Sequence, residues 1–137
     1  MKVIGVDLGE KRTGIAVSDN LEMMAHPLKT IRHDKVSTLI EEILQIIKEH
    51  NIERIIIGKP INMDGTEGAR VSKTIDFAGK LAEETDIEIE LVDERLTTVT
   101  AHNILNESGV RGSKNRKNII DTLSAVIILQ QYLDKKI

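Results

Sequence analysis

Cysteine is absent from this 137-residue chain, and so is tryptophan. Without thiols there is no disulfide, no thiolate zinc site and no cysteine nucleophile. The aromatic side chains are reduced to Phe77 and Tyr132, so base stacking on aromatic rings cannot be a main recognition device. No stretch approaches the roughly 18 consecutive apolar residues that cross a bilayer. The opening run Met1-Lys2-Val3-Ile4-Gly5-Val6-Asp7 puts a carboxylate where a signal peptide needs apolar residues, which predicts a cytoplasmic protein. Excess positive charge is lacking too: 19 Lys and Arg against 22 Asp and Glu leave −3, which taken alone argues mildly against a partner as anionic as nucleic acid. What is present, 40% hydrophobic and 30% charged residues, is the profile of a globular protein, and the length suits a single domain over 1–137.

The pattern along the chain supplies the architecture. Val3 to Leu8 and Thr13 to Ser18 are β-rich runs joined by a short glycine-containing connection, which predicts an antiparallel hairpin. Glu22 to Thr30 is a weaker strand in which Pro27 favours an edge. From Asp34, a suitable cap, Val36, Leu39, Ile40, Ile43, Leu44 and Ile47 recur at helical spacing, and Asn51 is a suitable stop. Ile52 to Gly58, with Ile55-Ile56-Ile57 unbroken, has the signature of a parallel strand buried on both faces. A loop dense in turn formers precedes a helix over about 69–85, and Ile87, Ile89 and Leu91 alternate with Glu88 and Glu90 in a strand near an edge. A short helix capped by Thr97 or Thr98 ends near Gly109, a basic loop spans 110–118, and a last helix runs over about 118–135. The order predicts a three-layer α/β domain whose mixed sheet joins an antiparallel meander to two parallel strands.

Three carboxylates stand out against this frame. Asp7 ends the first strand on the face of Val3 and Gly5, where a buried charge costs several kcal/mol unless paired or bound to a cation. Glu94 ends the last strand, and alternation allows only one of Asp93 and Glu94 to join Asp7. Asp121 lies near the predicted start of the last helix, and Ser124 and Ala125 are small enough to let that helix approach a strand closely. A turn-making aspartate, an ion pair with Arg95 and a carboxylate placed for the helix dipole are the plain alternatives for the three. Together they can converge on the carboxyl edge of the sheet, where sites tend to form. Clustered carboxylates repel unless a hard cation neutralises them, which points to Mg²⁺ or Mn²⁺.

Gly5-Val6-Asp7-Leu8-Gly9 with Lys11-Arg12-Thr13-Gly14-Ile15-Ala16-Val17-Ser18-Asp19, then Gly58-Lys59-Pro60-Ile61-Asn62-Met63-Asp64-Gly65, Val92-Asp93-Glu94-Arg95-Leu96-Thr97 and Ile120-Asp121-Thr122-Leu123-Ser124-Ala125, resemble the YqgF (RuvX) family in order and over almost the whole chain. The Asp-Glu-Arg-Leu-Thr block together with the Asn-Met-Asp-Gly loop is the specific part; Asp-x-Gly alone is not. The resemblance implies an RNase H-like fold, a five-stranded mixed sheet flanked by helices. It also implies a metal-dependent nuclease of ribosome biogenesis acting at the 5′ end of pre-16S ribosomal RNA, with ribosomal precursor particles as partners. The same family has been described as a Holliday junction resolvase by similarity to RuvC. In this sequence the implied acidic triad is Asp7, Glu94 and Asp121, serving as catalytic residues and as ligands of two Mg²⁺ or Mn²⁺ ions. RuvC-type enzymes carry a metal-binding glutamate at the end of the fourth strand, where this chain has Gly58-Lys59, so Glu94 has to substitute for it.

Beside those acids the basic residues form a candidate phosphate rim: Lys11, Arg12, Lys59, Arg70, Lys73, Arg95, Arg111, Lys114, Arg116 and Lys117. Singly, each has a solvated surface charge as its plain reading. The segment from Asn62 to Gly68 reads equally as an anion cradle or a simple turn. The histidines have no metal-ligand spacing and read as structural, and Met23, Met24 and Met63 read as fillers of core gaps or loop contacts. The leading expectation is hydrolysis by water held between two metal ions, leaving a 3′-hydroxyl and a 5′-phosphate, with Arg95 or Lys11 stabilising charge on the phosphoryl group. Cleavage of branched DNA is the alternative and calls for a symmetric dimer, whereas RNA processing suits a monomer or a homodimer. A non-catalytic nucleic-acid-binding module is a third reading. An actin-like ATPase is a fourth, disfavoured because such enzymes close two related domains over the nucleotide.

Overall fold

In the computed structural model, residues 1–62, 64–94 and 113–135 are described, with backbone alone for 113–118. The strands are β1 (Lys2–Asp7), β2 (Arg12–Ser18), β3 (Ala25–Arg32), β4 (Ile52–Lys59) and β5 (Glu88–Asp93). The helices are α1 (Val36–His50), α2 (Ala69–Glu84) and α3 (Ser113–Lys135). They build one five-stranded sheet in the order β3-β2-β1-β4-β5. β1, β2 and β3 pair antiparallel, β4 runs parallel to β1, and β5 runs parallel to β4. This is the predicted mixed sheet, with the meander on one side and the parallel strands on the other.

Strand alternation sorts the apolar side chains into two layers. Ile4, Val6, Ile15, Ile31, Ile55 and Ile57 face Leu39, Ile40, Ile43 and Ile46 of α1 and Phe77 and Leu81 of α2. On the opposite face Val3, Ala16 and Ile56 pack against Ala125, Ile128, Leu129, Tyr132 and Leu133 of α3. Ile55, Ile56 and Ile57 are fully buried, as the unbroken run in a central parallel strand predicts; each contributes about 1.5–3 kcal/mol of burial.

The α3 layer lies close against the sheet because glycines on the strands leave room for the helix. A Cβ on Gly5 would stand 2.8 Å from Leu129 Cβ and 3.0 Å from the Ala125 carbonyl oxygen. One on Gly14 would stand 1.9 Å from the Asp121 carbonyl oxygen. The helix therefore rests on the backbone of β1 and β2, which sets Asp121 above their ends.

Several boundaries differ from the sequence expectation. Asn51 does close α1 in the left-handed conformation (φ 56°), its N–H donating to the Ile47 carbonyl. The N-cap, however, is Lys35 without a side-chain cap, and Asp34 lies instead 3.4 Å from Lys11. β3 starts at Ala25 rather than near Glu22, which adopts φ 56° in the preceding turn. Met23 and Met24 sit in that turn, 59% and 56% exposed, and fill no core gap. α3 begins at Ser113, inside the stretch expected as loop, since no glycine or proline follows Gly112 to stop the helix. The short helix expected before Gly109 and the residue Met63 lie outside the described residues.

Candidate active site

Asp7 is the last residue of β1, and Glu94 directly follows β5, its N–H donating to the Lys59 carbonyl at 3.1 Å. Strand β4 lies between them and presents Gly58 at the crossing. A Cβ there would stand 2.8 Å from Glu94 Oε2 and 2.6 Å from Ile128 Cδ1. The missing side chain is thus the seat over which the Glu94 carboxyl reaches Asp7.

The two carboxyl groups are hydrogen-bonded to each other. Two carboxylates can do this only if one carries a proton. Burial comes first in both: it pushes Asp7 up to about 6 and Glu94 up to about 8. Their hydrogen bond then separates them, lowering Asp7 and raising Glu94, and Asp7's negative charge raises Glu94 further. Arg70 offsets both shifts in part. Near neutral pH the pair shares one proton.

Asp121 is the third acid, and its place differs from the expectation. With α3 starting at Ser113 it sits more than two turns inside the helix, so the helix dipole at the N-terminus is not its reason for being there. Burial raises its pKa, while Arg12 and Arg32 pull it back. Arg12 Nε stands 3.1 Å from Asp121 Oδ2, yet the alignment makes no hydrogen bond, and that buried oxygen has no hydrogen-bond partner. Asp121 is near enough for its charge to raise Asp7. Among the described residues, though, no three acidic or histidine side chains are drawn together as a ligand set. The sequence-predicted triad is resolved into a proton-sharing pair and a third carboxylate held by an arginine.

The basic rim is also sorted. Lys11 lies 3.4 Å from Asp34, Lys59 2.8 Å from Glu67, and Lys73 3.2 Å from Glu10. Arg70 and Lys73 open α2, and Arg70 faces the Asp7–Glu94 pair closely enough to lower both. Lys114, Arg116 and Lys117 fall in the first turns of α3, whereas Arg95 and Arg111 lie outside the described residues. The loop from Asn62 uses its own N–H groups: Asn62 donates to the Thr66 carbonyl, Gly65 to the Asn62 carbonyl and Thr66 to Asp64 Oδ1, each at 2.9 Å. That favours the simple turn over the anion cradle.

Two further residues matter to the site. Arg32 lies opposite Arg12 in the β2–β3 register, a position recoverable by counting along the hairpin. His33, expected to be structural, is buried with Nε2 2.8 Å from Thr13 Oγ1, and its N–H donates to the Lys11 carbonyl at 2.9 Å. Thr13 Oγ1 also accepts the Gly9 N–H at 3.4 Å. His33 therefore braces the β1–β2 connection at Gly9 and Lys11, next to Arg12. Burial, the largest influence on its ring, lowers its pKa and favours the neutral form. Nothing local in the sequence marks this role.

The family model described as "RuvX: Holliday junction resolvase" matches residues 1–135. The chain belongs to the RuvX (YqgF) family. It is 43% identical over 136 residues to the "Putative pre-16S rRNA nuclease" of Ruminiclostridium cellulolyticum, covering 98% of this chain and 95% of that one. It is 46% identical over 138 residues to the protein of the same name from Oceanobacillus iheyensis, covering 99% and 100%. Among solved structures, the RuvX chain shares its fold with Thermus thermophilus RuvC in complex with a Holliday junction substrate, at TM-score 0.60, 13% identity and coverage of 99% and 95%. The fowlpox virus Holliday junction resolvase is similar at TM-score 0.60, 14% identity and complete coverage of both chains. The RNase H-like fold implied by the sequence motifs is therefore present in the described residues of the RuvX chain.

Proposed function

We propose that this RuvX-family protein is a metal-dependent nuclease that hydrolyses phosphodiester bonds in the 5′-end processing of pre-16S rRNA, in the cytoplasm. The observation that carries the reading is the pair Asp7–Glu94. Two carboxyl groups are held in contact, at a cost of burial and mutual repulsion, at the carboxyl edge of a sheet beside a third carboxylate with an unfilled buried oxygen. A stabilising ion pair would not leave a proton trapped between acids. A cation site does, because the proton marks where positive charge is wanted. The donors are all oxygen, which fits Mg²⁺ or Mn²⁺ and no soft metal. Asp7, Glu94 and Asp121 would hold it. Such ions supply a nucleophilic water at neutral pH and stabilise the leaving oxygen, two of them acting in concert.

The chain's own residues do the rest. To hold a cation the pair would have to release its shared proton to solvent, and Gly58 leaves the Glu94 carboxyl room to lie against Asp7. Arg70 lies beside the pair and can meet a non-bridging phosphate oxygen. Arg12 holds Asp121 in place until the site fills.

The junction-resolvase reading is less well supported by this chain. The solved resolvases share the fold alone, and a glutamate at the end of β4 would occupy the space that Glu94 takes over Gly58. Single-turnover cleavage of a pre-16S leader RNA distinguishes the readings. Asp7→Asn is expected to lower the rate by about 10³-fold or more, as for a group that acts as part of a unit. Wild-type-like cleavage by that variant would overturn the assignment. Cleavage of a four-way DNA junction by wild-type protein that leaves the leader intact would move it to the resolvase.

A further inference from the structure

Beside Asp121, on the side of the meander, the sheet edge opens into a groove of about 890 Å³ between the loop after β1 and the start of α1. Lys11, Arg12, Arg32 and Lys35 line it, with Thr38 on the first turn of α1. The acids in its walls are engaged: Asp34 with Lys11, Glu10 with Lys73 and Asp121 with Arg12. Arg32 and Lys35 are exposed and have no acidic partner within ion-pair distance among the described residues. The first turn of α1 holds no acidic residue and its cap is Lys35, so the helix dipole adds to the positive potential rather than cancelling it.

We propose that this groove seats the sugar–phosphate backbone of the nucleic-acid strand next to the scissile phosphate, with Arg32 and Lys35 as its phosphate contacts and Arg12 joining the groove to the catalytic acids. The proposal rests on the nuclease reading and deepens it. On the other side Lys59 and Lys73 are each tied to an acid and Arg70 faces the Asp7–Glu94 pair, so among the described residues the α1 side offers two cations, Arg32 and Lys35, that no acid engages. The occupant is a polyanion, because Arg12, Arg32 and Lys35 line one open groove instead of enclosing a small cavity. The one ring among the lining residues, His33, is buried against Thr13 and offers no platform for bases, so contact goes to the backbone and carries little base preference.

The test is fluorescence-anisotropy binding of labelled single-stranded RNA and DNA oligonucleotides in EDTA, across a range of NaCl. Each phosphate contact contributes about 0.7 to the slope of log affinity against log salt for single strands. Arg32→Gln with Lys35→Gln is expected to reduce the slope by about 1.4. It should also weaken binding at least tenfold at 0.1 M salt, for RNA and DNA alike. Lys29→Gln, on the same strand but paired with Glu42 at 3.8 Å, should leave the slope unchanged. The chain has no cysteine, so Thr38→Cys carrying a benzophenone gives a second readout: it should cross-link to the bound strand. An unchanged slope in the double variant, or a strand that never cross-links at position 38, overturns the groove. If wild-type protein binds through the groove but cleaves nothing, the nuclease reading fails and the groove stands. If it cleaves with no dependence on Arg32 or Lys35, the groove fails alone.

Discussion

At the amino ends of the parallel strands, Arg54 of β4 donates through Nη2 to Glu88 of β5 at 2.9 Å and through Nη1 to the Tyr132 hydroxyl of α3. At the carboxyl ends of the same strands, Asp7 and Glu94 share a proton under the same helix, and Asp121 keeps a buried oxygen without a hydrogen bond. Both ends place charge between the sheet and α3. The far end joins opposite charges across neighbouring strands and ties them to the helix, which stabilises the fold. The near end gathers like charges and removes them from water, which does the reverse. A fold that matches its charges at one end is able to do so at the other, so the mismatch at the carboxyl edge is a property of a site.

The sharpest way to break the contrast is to lift the helix off the near end without removing any charged residue. Gly14→Ala puts a methyl group 1.9 Å from the Asp121 carbonyl oxygen, which is backbone and cannot rotate aside. The expected cost is about 3 kcal/mol in chemical denaturation, at the upper end for overpacking. Cleavage should fall further than stability explains, because Asp121 moves with the helix. A variant that keeps full stability would show that α3 does not rest on the strands as described.

The acids themselves give the next effect. Their pKa values rise on folding, from near 3.8 and 4.5 to about 6 for Asp7 and about 8 for Glu94. Raised values mean that the folded state binds these protons more tightly than the unfolded chain does. The stabilisation is fully present below about pH 4 and is lost as pH rises through 6 and then 8. Thermal melting in EDTA should therefore show the protein clearly less stable at pH 8.5 than at pH 5. Excess Mg²⁺ or Mn²⁺ should restore the loss, since metal takes the place of the proton. Glu94→Gln should flatten the slope in EDTA and abolish the restoration. Stability that rises across this range would mean the pair is not buried in contact.

Much of this contrast was legible in the sequence, and the remainder was hidden for physical reasons. Alternation placed Asp7 on the α3 face, the unbroken Ile55-Ile56-Ile57 run located the central strand, and Ser124 and Ala125 announced a close helix. Those signals are periodic, so they survive in one dimension. The proton shared by Asp7 and Glu94 depends on Gly58, a residue on a third strand whose importance is the absence of a side chain. The brace from His33 to Thr13, and the pairing of Arg12 with Asp121, join residues 20 and more than 100 positions apart. The extra turns of α3 were missed because a run of lysine, arginine and asparagine reads as loop by charge, although nothing in it forbids a helix.

The far end supplies the smallest effect and the control for all the others. Tyr132→Phe removes the hydroxyl that accepts from Arg54 Nη1 while keeping the ring packed beside Ala125, Leu129 and Leu133. Arg54 Nε already lacks a hydrogen-bond partner, so the loss leaves a guanidinium served mainly by Glu88. The expected cost is about 1–2 kcal/mol, the worth of a hydrogen bond to a charged group in a part-buried setting. Tyr132 lies three helical turns, about 16 Å along the axis, from Asp121. Single-turnover cleavage, its pH dependence and the metal-dependent recovery of stability should therefore match wild type. If this conservative change alters cleavage, the two ends are coupled through α3, and the helix is a lever between them instead of a fixed roof.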